Sequence, residues 1–185
     1  MIPQSINQNK ILYSNNQFRF RVIDFNDIES IRNWRNDQKK VLRQNNNISI
    51  EDQKNYWYKH ILPSFELKEP NQLLFSLEDC RTNELVAYGG LVHIDWTKKH
   101  AESSFLANTI YTKSIEEYET IFINYLDFLM MAAKQLQFSC IYSETYSFRT
   151  KHIKILEKYG YIQYGFLKKL VNSVNFSILH QYLLD

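Results

Sequence analysis

One run of residues constrains this chain more than any other. From Ser114 onward, Tyr118, Ile121, Phe122, Tyr125, Leu129 and Ala133 recur at three- and four-residue spacing. That is the period of a long helix with one apolar face. Ser114 followed by Glu117 reads as a capping box that fixes where the helix starts. Several segments around it carry a different period. Phe18, Phe20 and Val22 alternate with Arg19 and Arg21, which is the pattern of a half-buried strand. A helix of this length set among strands implies an α+β chain with a sheet for the helix to cover.

The remaining elements follow from local signals. Asn26 or Asp27 is placed to cap a short helix carrying Ile28, Ile31 and Trp34, and residues 37–47 are polar and read as a loop. Ser49 with Asp52 starts a second helix through Tyr56, Trp57 and Ile61, stopped at Pro63. Strands are expected over 73–77, 85–94 and 101–107, with turns at Asn83 and at 96–99. A strand over 140–145 precedes a shorter helix with Ile153, Ile155 and Leu156, and Gly160 suits the left-handed position that ends it. Two strands, near 161–170 and 174–184, finish a chain read as one domain over 1–185 with a polar leader over 1–16.

Composition removes several function classes. Lys and Arg number 22 against 20 Asp and Glu, a formal charge of +2, and the basic residues are scattered. There is no basic stripe of the kind that tracks nucleic-acid phosphates. The apolar stretches are too short to span a bilayer, and the first ten residues lack a signal-peptide pattern, so no membrane role and a cytoplasmic location are expected. Cys80 and Cys140 stand far apart, and His60, His100, His152 and His180 show no metal-ligand spacing. No metal is expected.

Three segments carry a resemblance. Residues 101–107, A-E-S-S-F-L-A, resemble the central A-E-x-x-F strand of the GNAT acyltransferases. Residues 155–161, I-L-E-K-Y-G-Y, are similar to that superfamily's L-x-E-K-x-G-F signature. Residues 31–36, I-R-N-W-R-N, resemble the first helix of members acting on ribosomal proteins or on nucleotide-linked amino sugars. The resemblance implies a mixed, mostly antiparallel sheet of about seven strands flanked by four helices. It also implies acetyl-CoA as co-substrate and a primary amine on a small molecule as acceptor, and leaves a homodimer open. The backbone of Leu106 would hold the thioester oxygen, an anion-stabilising role. Ala107 and Asn108 would bind the pantetheine arm. Glu102 matches the general base of histone-type members, the other reading being an ordinary polar residue on a strand. Glu102 and Leu106 share parity, so a bulge between them is expected to aim both at one cleft.

The chain also departs from that family. Most members hold the CoA pyrophosphate with a Q/R-x-x-G-x-G/A loop, whereas residues 108–117 contain no glycine and bring Glu116 and Glu117 to the helix start. Lys113 and Ser114 are the phosphate candidates there, with the cap formed by Ser114 and Glu117 the favoured reading of that serine. Many members place Asn at Arg149 and a proton-donating Tyr at Leu156, leaving Tyr146, Tyr159 or solvent as the acid. Arg149 is read as a phosphate contact or as a surface charge.

For the acceptor, the resemblance points to Arg35, Asn36 and Arg43, with the guanidinium groups suited to the phosphates of a nucleotide-linked sugar. Trp57 or Tyr58 is read as a stacking platform, against a core role for Trp34 and Trp57. His93 beside Asp95 is an acid/base candidate or a hydrogen-bonded strand histidine. The resulting expectation is an N-acetyltransferase acting on a nucleotide-linked amino sugar. A protein N-terminus, a polyamine or a drug is the alternative acceptor, and a binding module that has lost turnover is the alternative class.

Overall fold

A computed structural model of the chain describes residues 11–170 and 174–184. Its strands are β1 (Ile11–Ser14), β2 (Phe18–Val22), β3 (Gln72–Asp79), β4 (Leu85–Asp95), β5 (His100–Ala107), β6 (Cys140–Tyr146), β7 (Ile162–Leu170) and β8 (Val174–Leu183). The α-helices are α1 (Ile28–Asp37), α2 (Ile50–Tyr56), α3 (Ile115–Gln135) and α4 (Thr150–Tyr159). All eight strands form one sheet in the order β1-β2-β3-β4-β5-β6-β8-β7. Every neighbouring pair is antiparallel except β5 and β6, which run parallel. The strand beyond the seven expected is β1, which lies inside the stretch read as a polar leader and packs Leu12 against the core.

The apolar residues divide between the two faces of the sheet. On one face α3 and α4 bury Phe122, Tyr125, Leu129 and Leu156 against Phe20, Phe75 and Ile141. On the other, α1 and the segment after α2 bury Ile31, Trp34, Trp57 and Ile61 against Val22, Tyr88 and Leu106. Trp34 and Trp57 are therefore core residues of the second face.

Local caps explain where the helices begin. Asp24 caps a 3-10 turn (Phe25–Asp27) that leads into α1. Asp27, read as a cap, instead accepts hydrogen bonds from Arg21 at 2.7 Å and from the buried Ser76 hydroxyl at 2.7 Å. Ser49 and Asp52 form the expected box at α2. Beyond Tyr56 the chain widens into a π turn (Trp57–Ile61) and then a 3-10 turn (Leu62–Glu66) that holds Pro63. The ring carries no N–H for a continuing helix. Gly160 ends α4 at φ +116°, in the left-handed region.

Two glycines on β4 let the central strands approach. A Cβ on Gly89 would lie 2.0 Å from the Ser104 carbonyl oxygen, and one on Gly90 would lie 1.9 Å from that of Leu73. Both values are far inside van der Waals contact, so these positions admit no side chain without moving a strand.

Candidate active site

The only parallel pair among these strands is also the shortest contact in the centre of the sheet. β5 pairs with β6 over His100–Glu102 and Cys140–Tyr142, and there the pairing stops. Beyond it β5 stays with β4 as far as Ala107, and β6 stays with β8 as far as Tyr146. Each strand follows its own partner, so a wedge opens between them. A cavity of ≈ 270 Å³ occupies the wedge, lined by residues that include Glu102, Phe105, Glu144, Tyr146 and His152.

On the α1/α2 face of the wedge, Glu102 is buried, with 9% exposure. One carboxylate oxygen accepts from Arg43 Nη2 at 2.6 Å, and the other lies 3.8 Å from His93 Nε2. Arg43 also reaches Glu144 of β6 at 3.1 Å, so one guanidinium spans both sides of the wedge. Burial opposes the Arg43 charge, but Glu102 and Glu144 outweigh it and raise its pKa. Arg35 donates to the Tyr88 hydroxyl at 3.0 Å, its partner here being a phenol rather than a carboxylate.

Asn36 plays another part. Its side chain bonds both the N–H and the carbonyl of Ile48 and accepts from Gln44, latching the loop to α1. The acceptor candidates Arg35, Arg43 and His93 thus meet at the wedge, whereas Asn36 holds the loop that carries Arg43.

The expected bulge is displaced. Register runs unbroken from Val92↔Glu102 to Ala87↔Ala107, and the shift falls on β4 between Val92 and Asp95. His93 sits in that bulge at φ +49° and is thereby turned toward Glu102 rather than paired with Asp95. Without a bulge on β5, strict alternation fixes the direction of each peptide group. The Asn108 amide donates to the Val86 carbonyl on β4, and Gln38 donates to the Ala107 carbonyl from the open side. By the same alternation the Leu106 amide points to β4, and the Phe105 and Ala107 amides point into the wedge. The Leu106 side chain is buried in the second core. The Leu106 amide, expected to hold the thioester oxygen, therefore faces β4, and the amides of Phe105 and Ala107 are the ones open to the wedge.

A second and larger cavity, ≈ 660 Å³, opens from the wedge between the loop after α1 and the first turns of α3 and α4. Its lining includes Lys39, Lys40, Tyr118, Arg149, Lys151 and His152. The segment without glycine folds as a 3-10 turn (Thr109–Thr112) that Asn108 caps by accepting from the Ile110 amide at 3.2 Å. Ser114 accepts from the Glu117 amide and donates to Glu116, so its hydroxyl is committed to the helix start. The return arm of the expected capping box is not what holds it. The Glu116 carboxylate takes a backbone amide at the positive end of α3, which lowers its pKa, with Ser114 adding to the effect. Neither Lys113 nor Ser114 lines this cavity. The cations that do are Lys39 and Lys40 from a 3-10 turn (Lys39–Val41), with Arg149 just before α4 and Lys151 in its first turn.

A partly buried polar cluster joins the two cavities. The Tyr118 hydroxyl lies 2.9 Å from His152 Nδ1, and Arg149 Nη2 donates to the same hydroxyl at 3.2 Å. The His152 ring stacks on Phe122 with centroids 4.3 Å apart. Burial, then Arg149 and His180, push the His152 pKa well below its usual value, so the ring is neutral. Sequence reasoning missed Glu144, Tyr118 and His152 as site residues. Tyr118 carried the period of the apolar stripe, and Glu144 and His152 carried no motif.

Residues 20–180 match the family described as "Acetyltransferase (GNAT) domain". The chain belongs to this family and is an acetyl-CoA-dependent N-acyltransferase. No curated protein matches the sequence. Among solved structures, the chain is similar to the spermidine N-acetyltransferase of Vibrio cholerae in complex with CoA and spermine. The TM-score is 0.76 at 18% identity, covering 92% of this chain and 97% of that one. A dodecameric form of the Vibrio cholerae enzyme in an intermediate state matches with a TM-score of 0.72, also at 18% identity, covering 92% and 95%. Likeness at this identity speaks to the fold. Among the described residues, no group of three or more His, Cys, Asp or Glu side chains is placed to hold a metal, and no helix is long and apolar enough to cross a membrane.

Proposed function

We propose that this enzyme transfers the acetyl group of acetyl-CoA to the primary amine of a small cationic acceptor, with Glu102 as the base that accepts the amine proton. The observation that carries this reading is the position of Glu102: buried at the point where β5 and β6 part, facing His93, and held by Arg43. A free alkylamine is largely protonated at neutral pH and must lose a proton to attack. The Phe105 or Ala107 amide would stabilise the negative charge that develops on the thioester oxygen. The pantetheine arm would lie along the unpaired edge of β5. Lys39, Lys40 and Lys151 would meet the CoA phosphates by side-chain charge, in place of a glycine-rich backbone cradle.

For the acceptor, the Glu102 oxygen turned toward His93 offers an ammonium a charge partner in a lining that also carries Glu144, Arg35, Arg43 and Arg149. The Vibrio cholerae spermidine enzyme, bound to spermine, has the same fold, and a polyamine is the acceptor class we favour over the amino sugar expected from the first helix. One observation keeps the second reading open. Arg35 lines the wedge with a phenol rather than a carboxylate as partner, which would suit an acceptor bearing a phosphate or carboxylate.

Coenzyme A release from acetyl-CoA, followed with a thiol reagent across polyamines, nucleotide-linked amino sugars and amino-terminal peptides, tests both. Turnover of spermidine-like amines alone supports the first reading. Turnover restricted to anionic amines moves the assignment to the second. Absence of release with every amine refutes acetyl transfer to small molecules.

A further inference from the structure

Leu156 is fully buried in the main core and has no acidic proton, yet the thiolate that leaves the tetrahedral adduct must take one up. The cluster between the two cavities offers a donor. Tyr118 lines the larger cavity, and His152 lines both, so the two side chains stand where the donor space opens into the wedge. We propose that Tyr118 is the proton donor to the departing CoA thiolate, held in place by His152 and Arg149. The inference rests on the acetyl-transfer reading above.

The step balances as follows. The amine nitrogen attacks the thioester carbon and Glu102 takes its proton. When the tetrahedral adduct collapses, the C–S bond breaks and its electron pair goes to sulfur. The Tyr118 O–H bond then gives its proton to that sulfur, leaving a phenolate. Arg149 Nη2, already 3.2 Å from the oxygen, stabilises the phenolate charge. The phenolate recovers a proton from water in the open cavity as Glu102 releases its own to water, so neutral amine and acetyl-CoA give the amide and free coenzyme A with no net proton, and the one proton released overall is the one the ammonium loses before attack.

The surroundings support a donor that is protonated before the reaction. Burial raises the Tyr118 pKa, and Arg149 only partly opposes this. His152 is neutral, so its Nδ1 can orient the hydroxyl without competing as an acid. The charged and titratable groups near Tyr118 are Arg149 at the start of α4 and His152 on α4, with Asp37, Lys39, Lys40 and Lys151 lining the same cavity. His180 of β8 also acts on His152 through charge. Phe122 and Phe105 pack the aromatic ring from the other sides, at 6.1 and 5.8 Å between centroids.

The test is Tyr118→Phe, which removes one oxygen and leaves the packing. Turnover with the best amine is expected to fall about 10²-fold or more, as for loss of a general acid. The affinity for acetyl-CoA, read by calorimetry, is expected to stay within about threefold, and the alkaline fall in kcat is expected to vanish. His152→Gln, which keeps a polar acceptor near the hydroxyl, is expected to lower kcat by a smaller factor and shift that alkaline limb. Melting temperature reports whether either variant is folded, and either one suffices. Retention of kcat within threefold in Tyr118→Phe overturns the proposal, as does an equal loss in acetyl-CoA affinity, which would make the hydroxyl a binding contact. Should the wild type itself release no coenzyme A with any amine, acetyl transfer and the Tyr118 assignment fall together. Turnover by the wild type and by Tyr118→Phe alike overturns Tyr118 alone.

Discussion

Replacing Glu102 with Gln separates the chemistry of this site from its architecture. The amide keeps the size of the side chain and can still accept from Arg43, and Arg43 keeps Glu144 at 3.1 Å. General-base catalysis is typically worth about 10²–10⁴ in rate. One Glu102 oxygen is engaged by Arg43 at 2.6 Å, and only the oxygen toward His93 is open for a proton. With one of its two oxygens held by Arg43, the lower half of that range applies. The expected loss in kcat is about 10²–10³, or about 3–4 kcal/mol in the barrier. Coenzyme A release at saturating acetyl-CoA measures it, with the amine varied to separate kcat from KM. The Gln variant is also expected to lose the acidic limb of the pH–rate profile. A rate within about threefold of wild type, with the same pH profile, would refute Glu102 as the base. A large fall in melting temperature would instead place the loss in the collapse of the Arg43 bridge.

Other consequences can be measured without an acceptor. Lys39→Ala combined with Lys40→Ala is expected to weaken acetyl-CoA binding about tenfold at low salt and less at high salt, because exposed charges are screened. Lys113→Ala is expected to change little, since Lys113 is outside the cavity lining; the opposite order in a titration would return the phosphates to the start of α3. Gly90→Ala places a Cβ 1.9 Å from the Leu73 carbonyl at φ +150°. It is expected to cost roughly 1–3 kcal/mol, about 2–12 °C in melting temperature for a chain of this size, and an unchanged midpoint would show that β3 and β4 can part freely. His152 has a depressed folded pKa, so between that value and its ordinary one near 6.5 the unfolded chain binds the extra proton. Stability contributed by neutral His152 is present above about pH 6.5 and lost as pH falls below it. Urea midpoints from pH 8 to pH 5 should therefore slope less in His152→Gln than in wild type, and parallel slopes would remove His152 as the cause.

Periodicity and caps in the sequence determined most of the elements. The stripe from Tyr118 to Ala133, the Ser49–Asp52 box and Gly160 each act within a turn or two of the chain, so their consequences are local and legible. The strand over 101–107 placed Glu102 in the right element for the same reason. Only the tertiary structure decided how those elements meet. Parity in the sequence relates the peptide groups of β5 to one another, but which set faces β4 depends on pairing, and the Asn108–Val86 bond turned the Leu106 amide away from the wedge. Glu144 and Glu102 are 42 positions apart and became neighbours because a single parallel pairing joins β5 to β6. Tyr118 showed only as one more ring on an apolar face, until α4 brought His152 and Arg149 to its hydroxyl. Even β1 went unseen, since four residues carry too little pattern to show a strand that exists only by pairing with β2. Local chemistry can be read along one chain, whereas contacts between distant residues are fixed by packing and register.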